Sequence, residues 1–130
     1  MSQQIGILDA SFIAGEDLDD EQYYAVYLSA DQTVKLCTTA HLDMIGWLQN
    51  KPLSGEAAVV RMIGTTKAVA SEVIAVGKRV LVGTDGKLDE ENTAAQAEVR
   101  LGGIALEAAA ADGDIIEIFI TMASFVKGAT

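Results

Sequence analysis

The feature that most constrains this chain is its punctuation: apolar, β-branched stretches are short, and each stops at a turn former. Ile115 to Met122 (Ile-Ile-Glu-Ile-Phe-Ile-Thr-Met) shows it best, following directly on Asp112-Gly113-Asp114. Side chains of that kind suit a pleated, half-buried surface and lose rotamer freedom in a helix. The same grammar marks Gln22 to Ser29, Thr33 to Thr38, Met44 to Gln49, Ala57 to Ile63, Lys67 to Ala70, Val80 to Val82 and Val99 to Leu106 as strands. Pro52 and Gly55 close the Met44 run, Gly64 breaks the Ala57 run, and Asp85-Gly86 is a hairpin signal. Strands spaced by roughly 8–12 residues with turns between them suit a barrel or sandwich. The expected fold is mainly β: a small single-domain β-barrel or β-sandwich with at most one short helix. Leu106 to Ala111 has the propensity for a turn or two, stopped by Asp112-Gly113-Asp114. Asn92 to Glu98 is Ala-rich but has almost no apolar face.

Charge narrows the choice of partner. The chain carries 9 Lys and Arg against 19 Asp and Glu, a formal net charge of -10 over 130 residues. Nucleic acid and anionic membranes both call for clustered positive charge, so neither is expected as a partner. Half the residues are nevertheless hydrophobic, which an acidic disordered tail would not be. No positive leader is expected, because Lys35 is the first basic residue, and no apolar run approaches the ~20 residues of a membrane-spanning helix.

The first 22 residues read differently from residues 23–130. Met1 to Ala14 is mildly apolar, and Glu16, Asp17, Asp19, Asp20 and Glu21 follow without a counter-ion. A solvated loop accounts for the acidic run. A sharper reading makes residues 1–22 an extended N-terminal arm ahead of a β-barrel domain at 23–130. Ile5, Ile7, Phe12 and Ile13 are then its docking side chains, because an apolar terminus needs something to tie it down. Trp47 reads as either a core or a subunit-contact residue, and joins them as a candidate capsid or protomer contact.

Chemistry is sparse. His41 is the single histidine; Asp43, two residues on, shares its face if the segment is a strand, but a general base also needs a nucleophile. Cys37 is the single cysteine, so no internal disulfide forms and a thiolate zinc site lacks its ligands. Asp85 to Glu90 lacks the alternating acidic positions of a calcium loop and reads as a turn with a solvated stretch. The glycines follow no phosphate-loop pattern. Thr65-Thr66-Lys67-Ala68, followed by Val73-x-x-Val76-Gly77, resembles the lysine hairpin and sandwich of lipoyl carrier domains, without the acidic residues that flank the carrier lysine. No metal, no cofactor and no enzymatic activity are expected.

Several motifs stand in a telling order. Asp43-Met44-Ile45-Gly46-Trp47-Leu48-Gln49-Asn50-Lys51-Pro52 is followed by Gly55-Glu56-Ala57-Ala58-Val59-Val60-Arg61-Met62-Ile63-Gly64. Ile74-Ala75-Val76-Gly77-Lys78-Arg79-Val80, the Gly83-to-Lys87 hairpin, and Gly103-Ile104-Ala105-Leu106-Glu107 running on to Asp112-Gly113-Asp114-Ile115-Ile116-Glu117 come next. In that order they resemble the capsid cement, or head decoration, proteins of tailed bacteriophages, over roughly Tyr24 to Ile120. Lys78 departs from the family, standing where an acidic residue is common.

The resemblance implies a structural virion protein made in the bacterial host cytoplasm. Its place would be the outer face of the phage head, as a homotrimer that clamps neighbouring major capsid protein subunits and has no active site. Two other readings stay open at this point. One is a lipoyl- or biotinyl-type carrier domain modified at Lys67; the other is a different virion β-protein, such as a tail-tube or spike component.

Overall fold

A computed structural model describes residues 6–38, 44–90 and 98–126. Among them there is no helix, and nine strands form one sheet: β1 (Gly6–Ala14), β2 (Ala25–Ala30), β3 (Thr33–Leu36), β4 (Met44–Leu48), β5 (Ala57–Val69), β6 (Arg79–Val82), β7 (Leu88–Glu90), β8 (Glu98–Ala105) and β9 (Ile115–Val126). The mainly β reading holds. Pairing runs β1-β3-β2-β4-β5, and β5 returns to β1, so the first five strands close a ring. The sheet continues as β5-β9-β8-β6-β7, and a bridge from Ala70 to Leu88 draws its far edge back toward the end of β5.

The long strand β5 makes this arrangement possible. Its first half pairs with β1 and β4, and Thr65 to Val69 pairs with β9. Gly64 divides the halves at φ 116°, a value that side-chain-bearing residues rarely adopt. The glycine expected to end a strand instead bends one.

Two cores result. The first fills the ring with Ala14, Leu18, Val26, Val34, Leu48, Ala58 and Val60, with Phe12 and Met62 packed against it. The second holds Ala25, Cys37, Met44, Trp47, Ala68, Val80, Leu88, Ile116 and Ile118 among others. β2 serves both by simple alternation, sending Val26 to one and Ala25 to the other. β4 needs a bulge, because Met44 and Trp47 are three apart yet face the same core. The register shift between the Val26–Gly46 and Tyr27–Met44 pairs supplies it.

Residues 6–14, part of the expected arm, run along β5 as a strand. The reason is legible in their alternation: Phe12 and Ala14 face the first core while Ser11 and Ile13 face solvent. The acidic run also takes structural work. Leu18 is buried, the Glu16 carboxylate accepts the Leu36 N–H at 2.9 Å, and Asp17 accepts the Ser54 N–H at 2.9 Å. Glu21 lies close enough to Asp19, Asp20 and the fold that burial, with added repulsion from the neighbouring acids, raises its pKa.

The expected turn of helix at Leu106 to Ala111 is absent. Its amides are engaged elsewhere: Ala109 exchanges backbone hydrogen bonds with Ile74, and the Asp114 carboxylate accepts the N–H groups of Ala110 and Ala111. Of Asn92 to Glu98, all but Glu98 lies outside the described residues.

Candidate functional site

The outward face of β1 and β5 carries the most concentrated exposed apolar surface linked to the residues singled out in the sequence. Four cross-strand pairs lie along it: Ile13 with Ala57, Ser11 with Val59, Asp9 with Arg61, and Leu8 with Ile63. Leu8 and Asp9 are consecutive, yet their partners are two apart, because the register shifts on either side of Leu8 loop out Ile7 on β1 and Met62 on β5. Ile7 is thereby left 69% exposed, and Ile13 is 49% exposed. Phe119 on β9, paired with Thr65 in the second half of β5, is a further exposed apolar residue.

One ion pair interrupts the strip. Arg61 Nε and Nη2 donate to the two Asp9 carboxylate oxygens at 2.8 and 3.0 Å, and Nη1 donates to the Thr65 carbonyl at 3.2 Å. The guanidinium holds the Asp9 carboxyl below its ordinary pKa and is itself raised by the carboxylate.

The candidate contacts from the sequence therefore separate. Ile7 and Ile13 lie on the exposed face. Phe12 is half-buried against the first core. Trp47 is completely buried in the second core, against Gly102 and Met44, and offers no surface to a partner. Ile5, His41 and Asp43 lie outside the described residues. Sequence reasoning missed Leu8 and Ile63, whose outward direction depends on bulges that no residue pattern announces. Asp9 and Arg61 were missed for a different reason: 52 positions separate them, and only the β1–β5 register joins them.

Lys67 does not sit at a hairpin tip, as a carrier lysine must. It lies within β5 opposite Glu117, with Nζ 5.7 Å from the centre of the Tyr23 ring. Among the described residues no cluster of three or more His, Cys, Asp or Glu side chains is arranged to hold a metal ion.

No protein-family model and no curated protein matches the chain. Its fold is similar to that of the N base of head fiber gp8.5 in bacteriophage phi29, known from a crystal structure. The TM-score is 0.65 at 16% identity, over 88% of this chain and 93% of that one. At that identity the likeness is one of fold.

Proposed function

We propose that this chain is a structural protein of a phage head, held on the outer surface of the shell by the major capsid protein. The observation that carries the reading is the fold likeness to a head-fibre base, which spans nearly all of both chains. It agrees with the order of motifs that resembles head decoration proteins. The net charge of -10 fits a position away from packaged DNA, and the apolar strip around Ile7 and Ile13 supplies a surface for protein contact.

On this reading the protein acts by mass action. A ligand that binds the assembled, expanded lattice and not free subunits stabilises that lattice. The homotrimer belongs to the same proposal, placing three contact surfaces around a local three-fold position of the shell.

The test is to mix the purified chain with expanded heads that lack it. Occupancy is counted by electron microscopy, and the temperature at which heads break is measured. Saturable binding on the outer surface with a raised breaking temperature is the expected result. Binding without that rise would favour an attachment base of the fibre kind over a cement. Heads left bare at saturating protein would overturn the virion reading.

A further inference from the structure

Among the described residues, one edge of β1 is largely unpaired. The strand pairs with β5 from Gly6 to Ile13, but with β3 only at Ile13 and Ala14. The direction of its backbone groups follows from three hydrogen bonds. Ala14 donates to Glu56 and accepts from Gly55, both beside β5, whereas Ile13 donates to Gln32 on the opposite side. No register shift falls between Asp9 and Ile13, so alternation turns Ala10 and Phe12 toward β5 and Ser11 and Asp9 away from it. Among the described residues, no backbone partner meets the N–H and C=O groups of Asp9 and Ser11.

Edges like this are normally guarded by Lys, Pro or an exposed charge that discourages a foreign strand. β1 reads Gly-Ile-Leu-Asp-Ala-Ser-Phe-Ile-Ala. Its one charged residue is Asp9, and that charge is already neutralised by the two-armed contact with Arg61. The guard is tied down within the molecule.

We propose that this edge is a self-association site, where β1 of a second copy of the chain adds antiparallel across a two-fold axis at Ala10. The register follows from which groups are free. Asp9 then exchanges both backbone bonds with Ser11 of the other copy, and Ser11 with Asp9, giving four hydrogen bonds in all. Centring on Ser11 would need the Ile13 N–H, which is committed to Gln32. Centring on Asp9 would set two carboxylates opposite each other. In the favoured register Asp9 faces a hydroxyl, so the pairing brings no like charges together along the strand. The contact is isologous and links copies in twos, whatever contact makes a trimer.

The inference is independent of the virion reading, because self-association and crosslinking are read on the purified chain alone. Sedimentation of the full chain over a range of concentrations should show reversible pairing. Ser11→Pro removes an N–H that meets no backbone partner among the described residues and should weaken pairing about tenfold, with the far-ultraviolet dichroism unchanged. Ser11→Asp, which places a carboxylate opposite Asp9, should weaken it similarly and serves if the proline variant misfolds. Ala10→Cys should form a disulfide between copies, since residues facing each other at such an axis lie about 4.5 Å apart; buried Cys37 stays out of that reaction. A folded wild type that neither pairs at high concentration nor crosslinks through Ala10→Cys overturns the proposal. So does pairing that survives both Ser11 changes. Loss of head binding by Ser11→Pro in a chain that never self-associates would assign the edge to a capsid strand, and would equally overturn it.

Discussion

Asp9 and Arg61 face each other across the β1–β5 register and close a two-armed ion pair, Nε to Oδ1 at 2.8 Å and Nη2 to Oδ2 at 3.0 Å. The guanidinium holds the Asp9 carboxyl below its usual pKa, so the pair stabilises the fold above about pH 4. That contribution is lost as the pH falls through the lowered native value. Asp9 is too exposed for the full shift to count, and Asp9→Asn should cost about 0.5 kcal/mol at neutral pH. Urea unfolding of both proteins from pH 7 down to pH 2 checks it. Their curves should converge at the acid end, and a gap that persists there would mean that Asp9 acts through something other than its charge.

Gly102 lies against the ring of Trp47. A Cβ there would stand 2.8 Å from Trp47 Cη2 and 3.1 Å from Cζ2, inside contact distance of a ring with no room to turn. Gly102→Ala should cost about 1–3 kcal/mol through overpacking. Because Trp47 is the single tryptophan, its emission reports the displacement directly. Gly103→Ala should cost more, since its Cβ would collide with the Phe119 carbonyl oxygen, and backbone cannot swing aside. Denaturant unfolding of the two variants gives the order. Gly103→Ala as the milder change would contradict this account of how β8 approaches β9 and Trp47.

The strands were legible wherever side chains alternate in a single register, as in Thr33 to Leu36 and Ile115 to Ile120. They were hidden where backbone geometry decides. Gly64 looked like a terminus because a bend and an end use the same residue, and only the pairing of Thr65 with Phe119 shows the strand continuing. Leu88 to Glu90 reads as a solvated stretch because three residues carry too little alternation, although Leu88 is fully buried. The candidate surface was half visible. Ile7 and Ile13 stand out as apolar residues near a terminus, whereas for Trp47 the residue type alone leaves core and contact open, and a bulge in β4 turns it inward with Met44. Nothing local connects Asp9 with Arg61.

Cys37 is wholly buried, and desolvation pushes its thiol up to about 12. In the unfolded chain the same thiol ionises near 8.5, so unfolding releases a proton once the pH exceeds that value. Stability referred to this group is intact below about pH 8.5 and falls as the pH rises toward 12, by up to about 1.4 kcal/mol per unit. Cys37→Ala lacks the effect, so the wild type should lose ground against it between pH 9 and pH 10.5. Native alkylation at pH 8 followed by intact mass gives an independent check. The folded protein should remain unmodified and the urea-unfolded chain should take one adduct. Rapid labelling of the folded protein would show that Cys37 is open to solvent.

Ile7 and Ile13 project from the outer face of β1, and exposed positions of this kind tolerate substitution within about 0.5 kcal/mol. Ile7→Asp and Ile13→Asp should therefore fold normally while placing charge where the proposed capsid contact is apolar. Removal of residues 1–14 is a poorer experiment. It strips β1 from the ring, removes Phe12 and Ala14 from the first core and unpairs one side of β5, so lost binding would report lost structure. The two point variants, each verified by its tryptophan emission and denaturation midpoint, are mixed with expanded heads and their occupancy is compared with wild type. Affinity lower by tenfold or more for the double variant places the contact on this face, since a buried apolar anchor at an interface is commonly worth more than 1.4 kcal/mol. Wild-type occupancy by the folded double variant would move the contact elsewhere, with Phe119 on β9 the next exposed apolar residue to change.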